Sequence, residues 1–162
     1  MKSNDTEART VEQAYAYALR LMTGRDYSAA RLRKKLAGWG VVSGDCEEII
    51  SRLQREGWLD DARYAGRFAE SALSSGRFCG ARLRIEMQKR GFESELVQET
   101  LAPLLVAYDE IPEVKASVER RYPGFTYSQA SPRERQRVIG YLQRRGFGFA
   151  AILQALKAEE QF

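Results

Sequence analysis

Apolar positions recur along this chain at steps of three and four residues, the period of an amphipathic helix. Ala14, Ala18, Leu21 and Met22 follow that spacing from Val11 until Gly24. Ser28 is placed to cap a helix over 29–39, with Leu32, Leu36 and Trp39 on one stripe and Gly40 as its stop. Asp45 is expected to cap a third helix that turns Ile49, Ile50 and Leu53 inward and closes at Gly57. The cycle then restarts. Asp60 or Asp61 opens a helix bearing Tyr64, Ala65, Phe68 and Leu73, and "SSGRFCG" interrupts it. A helix over 80–90 carries Leu83 and Met87 and stops at Gly91, and another from about Ser94 carries Leu96, Val97, Leu101 and Leu104. A third round begins near Pro112, a residue compatible with a first helical turn, and breaks at "YPGFTYSQA". It resumes at Ser131-Pro132-Arg133-Glu134, which has the form of a capping box. Val138 and Leu142 mark that helix, Gly146 stops it, and Phe149, Ile152, Leu153 and Leu156 mark the last one. No segment alternates as a half-buried strand does.

The rounds are related to one another. "AARLRKKLAGWG" (29–40) and "GARLRIEMQKRG" (80–91) agree at five of twelve positions. Gly40, Gly91 and Gly146 stand 51 and 55 residues apart. Eight residues before each stands Leu32, Leu83 or Val138, and four before stands Leu36, Met87 or Leu142. The pattern predicts an all-α chain built as an elongated tandem array of three three-helix, helix-turn-helix-like repeats. The expected division is a flexible tail over 1–10 and repeats over 11–59, 60–108 and 109–162. One such unit is too small to bury its own stripe well, so neighbours are expected to stack.

Composition narrows the chemistry. The chain has no histidine, which removes imidazole acid–base and nucleophile-activating mechanisms. Two cysteines, Cys46 and Cys79, cannot form a standard tetrahedral zinc site alone and are read as small buried apolar residues in a reducing compartment. No Walker A run or GxGxxG is present. No apolar run approaches 18 residues, so a cytoplasmic protein without a membrane segment is expected. No enzyme activity, cofactor or metal is expected.

Charge is distributed unevenly. Residues 30–40, 81–91 and 133–146 together carry +11, whereas the whole chain carries +4, leaving −7 elsewhere. Nine residues before each closing glycine stands an arginine, Arg31, Arg82 or Arg137. On a helical wheel Arg31 and Lys34 lie opposite the apolar stripe, as do Arg82 and Lys89, and Arg133, Arg137 and Arg144 cluster. Stacked repeats would align these side chains, with Lys35, into a basic stripe fitted to an acidic protein groove or a phosphate backbone. Pairing with Glu47, Glu48, Glu93 or Glu95 is the alternative, and exposed pairs of that kind contribute only about 0–1 kcal/mol. Ile85 on the polar side of its helix suggests that this surface also takes an apolar contact. Trp39, Tyr64, Phe68 and Phe149 are expected in the core, Tyr27 and Phe78 at equivalent places before the middle helices, and Asp60 and Asp61 at a helix cap.

"ALRLMTGRDYSAARLRKKL" (18–36), "EGWLDDARYAGRF" (56–68), "SSGRFCGARLRIEMQKRGF" (74–92) and "RQRVIGYLQRRGF" (135–147) resemble, in order and spacing, the RecX family of RecA regulators. Two departures stand out: Arg31 occupies a position commonly acidic in that family, and Gly76-Arg77-Phe78-Cys79-Gly80 replaces its G-x-G-P pattern. The resemblance implies a curved helical modulator that lodges on the RecA–DNA filament and limits strand exchange, ATP hydrolysis and co-protease activity. It also implies weak direct binding to single- or double-stranded DNA, and a monomer is expected. The other reading of the residues is a stand-alone helical DNA-binding module that acts through the arginine stripe without RecA.

Overall fold

The computed structural model describes residues 9–158, in which there are nine α-helices and no strand. α1 (Val11–Gly24), α2 (Ala29–Gly38) and α3 (Ser43–Arg55) form the first set. α4 (Asp61–Ser74), α5 (Gly80–Lys89) and α6 (Ser94–Val106) form the second, and α7 (Glu110–Arg121), α8 (Pro132–Arg145) and α9 (Phe149–Lys157) the third. Helices pack mainly within their own set: α2 and α1 on α3, α4 on α6, and α7 on α9. No helix among the described residues is long and apolar enough to cross a membrane.

Local signals set most helix ends. Ser28, Asp60 and Ser131 each accept from the backbone N–H three residues on, and Ser131 with Glu134 closes the anticipated capping box. Thr10 forms a second capping box with Gln13, so residues 9 and 10 belong to the folded unit; residues 1–8 of the anticipated tail lie outside the described residues. Asp45 does not cap α3. The helix begins two residues earlier, with Val42 at the cap position and no side-chain bond there, and Asp45 lies in the first turn, where its charge favours the helix N-terminus.

The predicted apolar stripes are buried. Leu32, Leu36, Leu83, Met87 and Leu142 are fully enclosed, and Val138 nearly so. Two expectations need correction. Phe149 is 54% exposed, because α9 starts there and turns Ile152, Ala155 and Leu156 inward instead. Trp39, Tyr64 and Phe68 are only half-buried, each on the rim of a core. Three helix sets give two cores. One is formed within 14–59; the other runs continuously from Ala65 to Leu156 and serves the second and third sets together.

Candidate partner-binding surface

The middle helices α2, α5 and α8 follow one another head to tail, and the joints repeat. At the N-terminus of α2, the Ser28 hydroxyl donates to the Arg90 carbonyl at the end of α5. At the N-terminus of α5, the Cys79 amide donates to the Arg145 carbonyl at the end of α8, at 2.9 Å. Ser28 and Cys79 are 51 residues apart, the repeat spacing. Each joint satisfies a carbonyl that a helix C-terminus would otherwise leave without an intrahelical partner. It also aligns the negative end of one helix dipole with the positive end of the next.

The closing glycines make these approaches possible. Gly91 and Gly146 both have left-handed φ values, +87° and +102°. A Cβ on Gly91 would lie 2.9 Å from Ala30 Cβ and Ser28 Oγ, and one on Gly146 would lie 2.8 Å from Arg82 Cβ and overlap the Cys79 carbonyl. Gly40 has the same turn (φ +91°) but meets nothing, since no middle helix docks on the end of α2.

The first joint lies between the two cores and carries an acidic side chain, whereas the second lies within the shared core. Asp60 caps its own helix, whereas Asp61 reaches back to accept the Ala29 amide of α2 at 2.9 Å. Burial pushes the Asp61 carboxyl above its usual range, against the opposing pull of that hydrogen bond. The "GWLDD" segment is therefore a coupling between repeats as well as a helix start. At the second joint Cys79 is fully buried, and burial pushes its thiol up to about 12. Cys46 is also buried and its thiol raised by burial, so both cysteines are packing residues.

These joints redistribute the anticipated basic stripe. Arg31 donates from Nη2 to the Lys89 carbonyl at 3.0 Å and is thereby tied into the first joint. Arg82 sits under Gly146 at the second joint. Its Nη2 lies 2.7 Å from Glu86, which also draws Lys89 to 3.5 Å and Arg90 to 3.2 Å. Burial alone would raise the Glu86 carboxyl, but the Arg90 hydrogen bond and the charges of Lys89 and Arg82 hold it below its usual range. Glu86 is 9% exposed. Its spacing of three and four residues from all three cations was the signal available in the sequence.

The remaining cations form two separate groups. Arg31, Lys34 and Lys35 line a groove of about 530 Å³ between α1 and α2, with Arg25, Tyr17, Tyr27 and Trp39. Tyr17 stacks on Trp39 at 4.3 Å, and the Arg9 guanidinium lies 3.9 Å from the indole centroid. On α8, Arg137 borders two shallow depressions; Arg133 borders one of them, Tyr122 and Phe125 the other, and Glu134 both. Arg144 lies further along the helix, beside Gly140. Lys34, Lys35, Arg133, Arg137 and Arg144 are exposed and make no ion pair among the described residues. The Tyr17–Trp39 stack has no signal in the sequence, because a contact across 22 residues leaves no periodic trace. No group of three or more histidine, cysteine or acidic side chains placed to hold a metal occurs among the described residues.

Comparison with known proteins agrees with this architecture. Residues 14–53 match the family model described as RecX, first three-helix domain, and residues 115–156 match RecX, third three-helix domain. The chain is 40% identical over 149 residues to the regulatory protein RecX of Trichlorobacter lovleyi, covering 92% of this chain and 97% of that protein. It is 32% identical over 146 residues to that of Syntrophotalea carbinolica, covering 90% and 95%. Its fold is similar to the crystal structure of RecX from Lactobacillus salivarius, with a TM-score of 0.73 at 17% identity over 94% of this chain and 97% of that one.

Proposed function

This chain belongs to the RecX family, and on that premise we propose that it regulates the RecA recombinase, mainly as an inhibitor, by binding the RecA–DNA filament. The role is non-enzymatic and cytoplasmic, exerted in recombinational repair and the SOS response by a monomer of three repeats, 11–59, 60–108 and 109–162. The carrying observation is the pair of unpaired cationic surfaces at opposite ends of the array: Lys34 and Lys35 on α2, and Arg133, Arg137 and Arg144 on α8. Between them the head-to-tail joints fix the spacing of the middle helices, so both ends can meet one extended, negatively charged partner at once. A filament of protein and DNA supplies such a partner, and two linked contacts reinforce each other through effective concentration. Arg31, Arg82 and Lys89 act in this scheme chiefly by holding the joints.

The reading is tested by DNA-dependent ATP hydrolysis and filament assembly of RecA with the purified protein. Inhibition at comparable or lower protein concentration is expected, weakened by Lys34→Glu/Lys35→Glu and by Arg133→Glu/Arg137→Glu. No effect of the wild-type protein across a wide concentration range overturns it.

A further inference from the structure

Three carbonyls stand immediately before the closing glycines, those of Trp39, Arg90 and Arg145. Two are covered by the start of another middle helix, Arg90 by the Ser28 hydroxyl and Arg145 by the Cys79 amide. The third, on Trp39, has no helix beyond it. Arg9 takes that place: its Nε donates to the Trp39 carbonyl at 2.9 Å, and its guanidinium lies 3.9 Å from the indole centroid. Gly40 keeps the left-handed turn found at both joints, with φ +91°, and a Cβ there would meet nothing within 4 Å among the described residues. The end of α2 therefore has the form of a joint, with one arginine where a helix would enter.

The opposite end of the array, the start of α8, is closed by different means. The helices that dock, α2 and α5, read Ala-Arg at their second and third residues, Ala30-Arg31 and Ala81-Arg82. Ala30 lies against Gly91, Arg31 donates to the Lys89 carbonyl, and the Arg82 Cβ faces Gly146. At the same two places α8 reads Arg133-Glu134. Arg133 puts a long side chain where Ala30 allows close approach. Glu134 accepts the Ser131 hydroxyl at 2.7 Å, whereas the hydroxyl of Ser28 serves the neighbouring carbonyl. A carboxylate at that end also repels the negative C-terminal end of an incoming helix. We propose that Arg9 and the Arg133–Glu134 pair are terminators: the two ends of the array are complementary, and these side chains keep a second copy of the chain from joining end to end. Such ends are needed because each joint is heterologous and would otherwise continue without closing. The terminators share with the proposed function only the monomeric state, and their test contains no recombinase.

The test is small-angle X-ray scattering of the full chain across a concentration series. Interior joints form at the effective concentration a short linker provides, on the order of 1 mM, so a free joint should show by that concentration. Wild type is expected to keep a monomer's mass throughout. Opening both ends in one chain, with Arg9→Ala and Arg133→Ala/Glu134→Arg, should raise the apparent mass about twofold or more at the top of the series, with the particle growing along one axis. Opening either end alone should leave a monomer, since the joint needs both. Adding Gly40→Ala to the fully opened chain should return it to a monomer with unchanged helical circular dichroism, because a Cβ at the equivalent Gly91 or Gly146 falls within 3 Å of the docked helix. A fully opened chain that stays monomeric, equal association of a chain opened at one end, association that survives Gly40→Ala, or association of wild type would overturn the proposal.

Discussion

The Arg31 guanidinium donates to the Lys89 carbonyl oxygen, 58 residues away, across the joint between the first and second helix sets. Both residues stand out in the sequence as candidates for an external partner. The joint gives Arg31 an internal acceptor instead, beside Ser28, Ala29 and Asp61, which close the same helix N-terminus. Arg31→Ala should therefore lower stability by about 1 kcal/mol, the size of one solvent-accessible hydrogen bond. That corresponds to a loss of roughly 2–4 °C in Tm for a chain of this length, read by thermal circular dichroism. Lys34→Glu/Lys35→Glu should lower Tm by no more than about 2–4 °C, since neither lysine makes an ion pair among the described residues and only Lys35, in the last turn of α2, favours a helix C-terminus.

The three closing glycines should separate by what lies against them. Gly40→Ala meets only the cost of a left-handed φ, about 1–2 kcal/mol. Gly91→Ala and Gly146→Ala add a steric clash at a joint, about 1–3 kcal/mol more. Urea unfolding of the three variants reads the order. Equal destabilisation by all three would mean that the joints do not bear on stability.

Because the first joint lies between two separate cores, weakening that joint should uncouple the first helix set from the other two. Gly91→Ala is expected to split a single unfolding transition into two. Gly146→Ala lies within the shared core and should shift one transition without splitting it. Calorimetry distinguishes the two outcomes.

Glu86 sets a pH dependence. Its carboxyl is held below the usual glutamate range, so its contribution is present above the unfolded pKa and is lost as pH falls through the folded one. Glu86→Gln should cost about 1–3 kcal/mol at neutral pH by leaving Arg82, Lys89 and Arg90 without their shared acid. The gap from wild type should shrink as pH falls through and below the usual carboxylate range, an outcome read from Tm against pH. A gap independent of pH would assign the loss to packing.

The cysteines should be unreactive in the native state. Burial raises both thiols, Cys79 to about 12, so the thiolate required for attack is scarce at neutral pH. Titration with a thiol-specific disulfide reagent should label neither within minutes and both after denaturation.

The sequence by itself determined the helices, their stops and their threefold recurrence, because these depend on contacts within four residues: stripes such as Leu32–Leu36, caps such as Ser131–Glu134, and turns at Gly40, Gly91 and Gly146. It also exposed the concentration of charge on the middle helices and the resemblance carried by "GWLDD". Tertiary structure alone decided how that charge is spent. A helical wheel places Arg31 and Arg82 on the face opposite their own core, which is correct, but that face is where the next repeat docks. The same geometry pairs Ser28 with Arg90 and Cys79 with Arg145, leaving one joint between two cores and the other inside a shared one. Periodicity reports which side of a helix avoids water within its own unit; it carries no information on which residues, 50 or 60 positions away, will cover the other side.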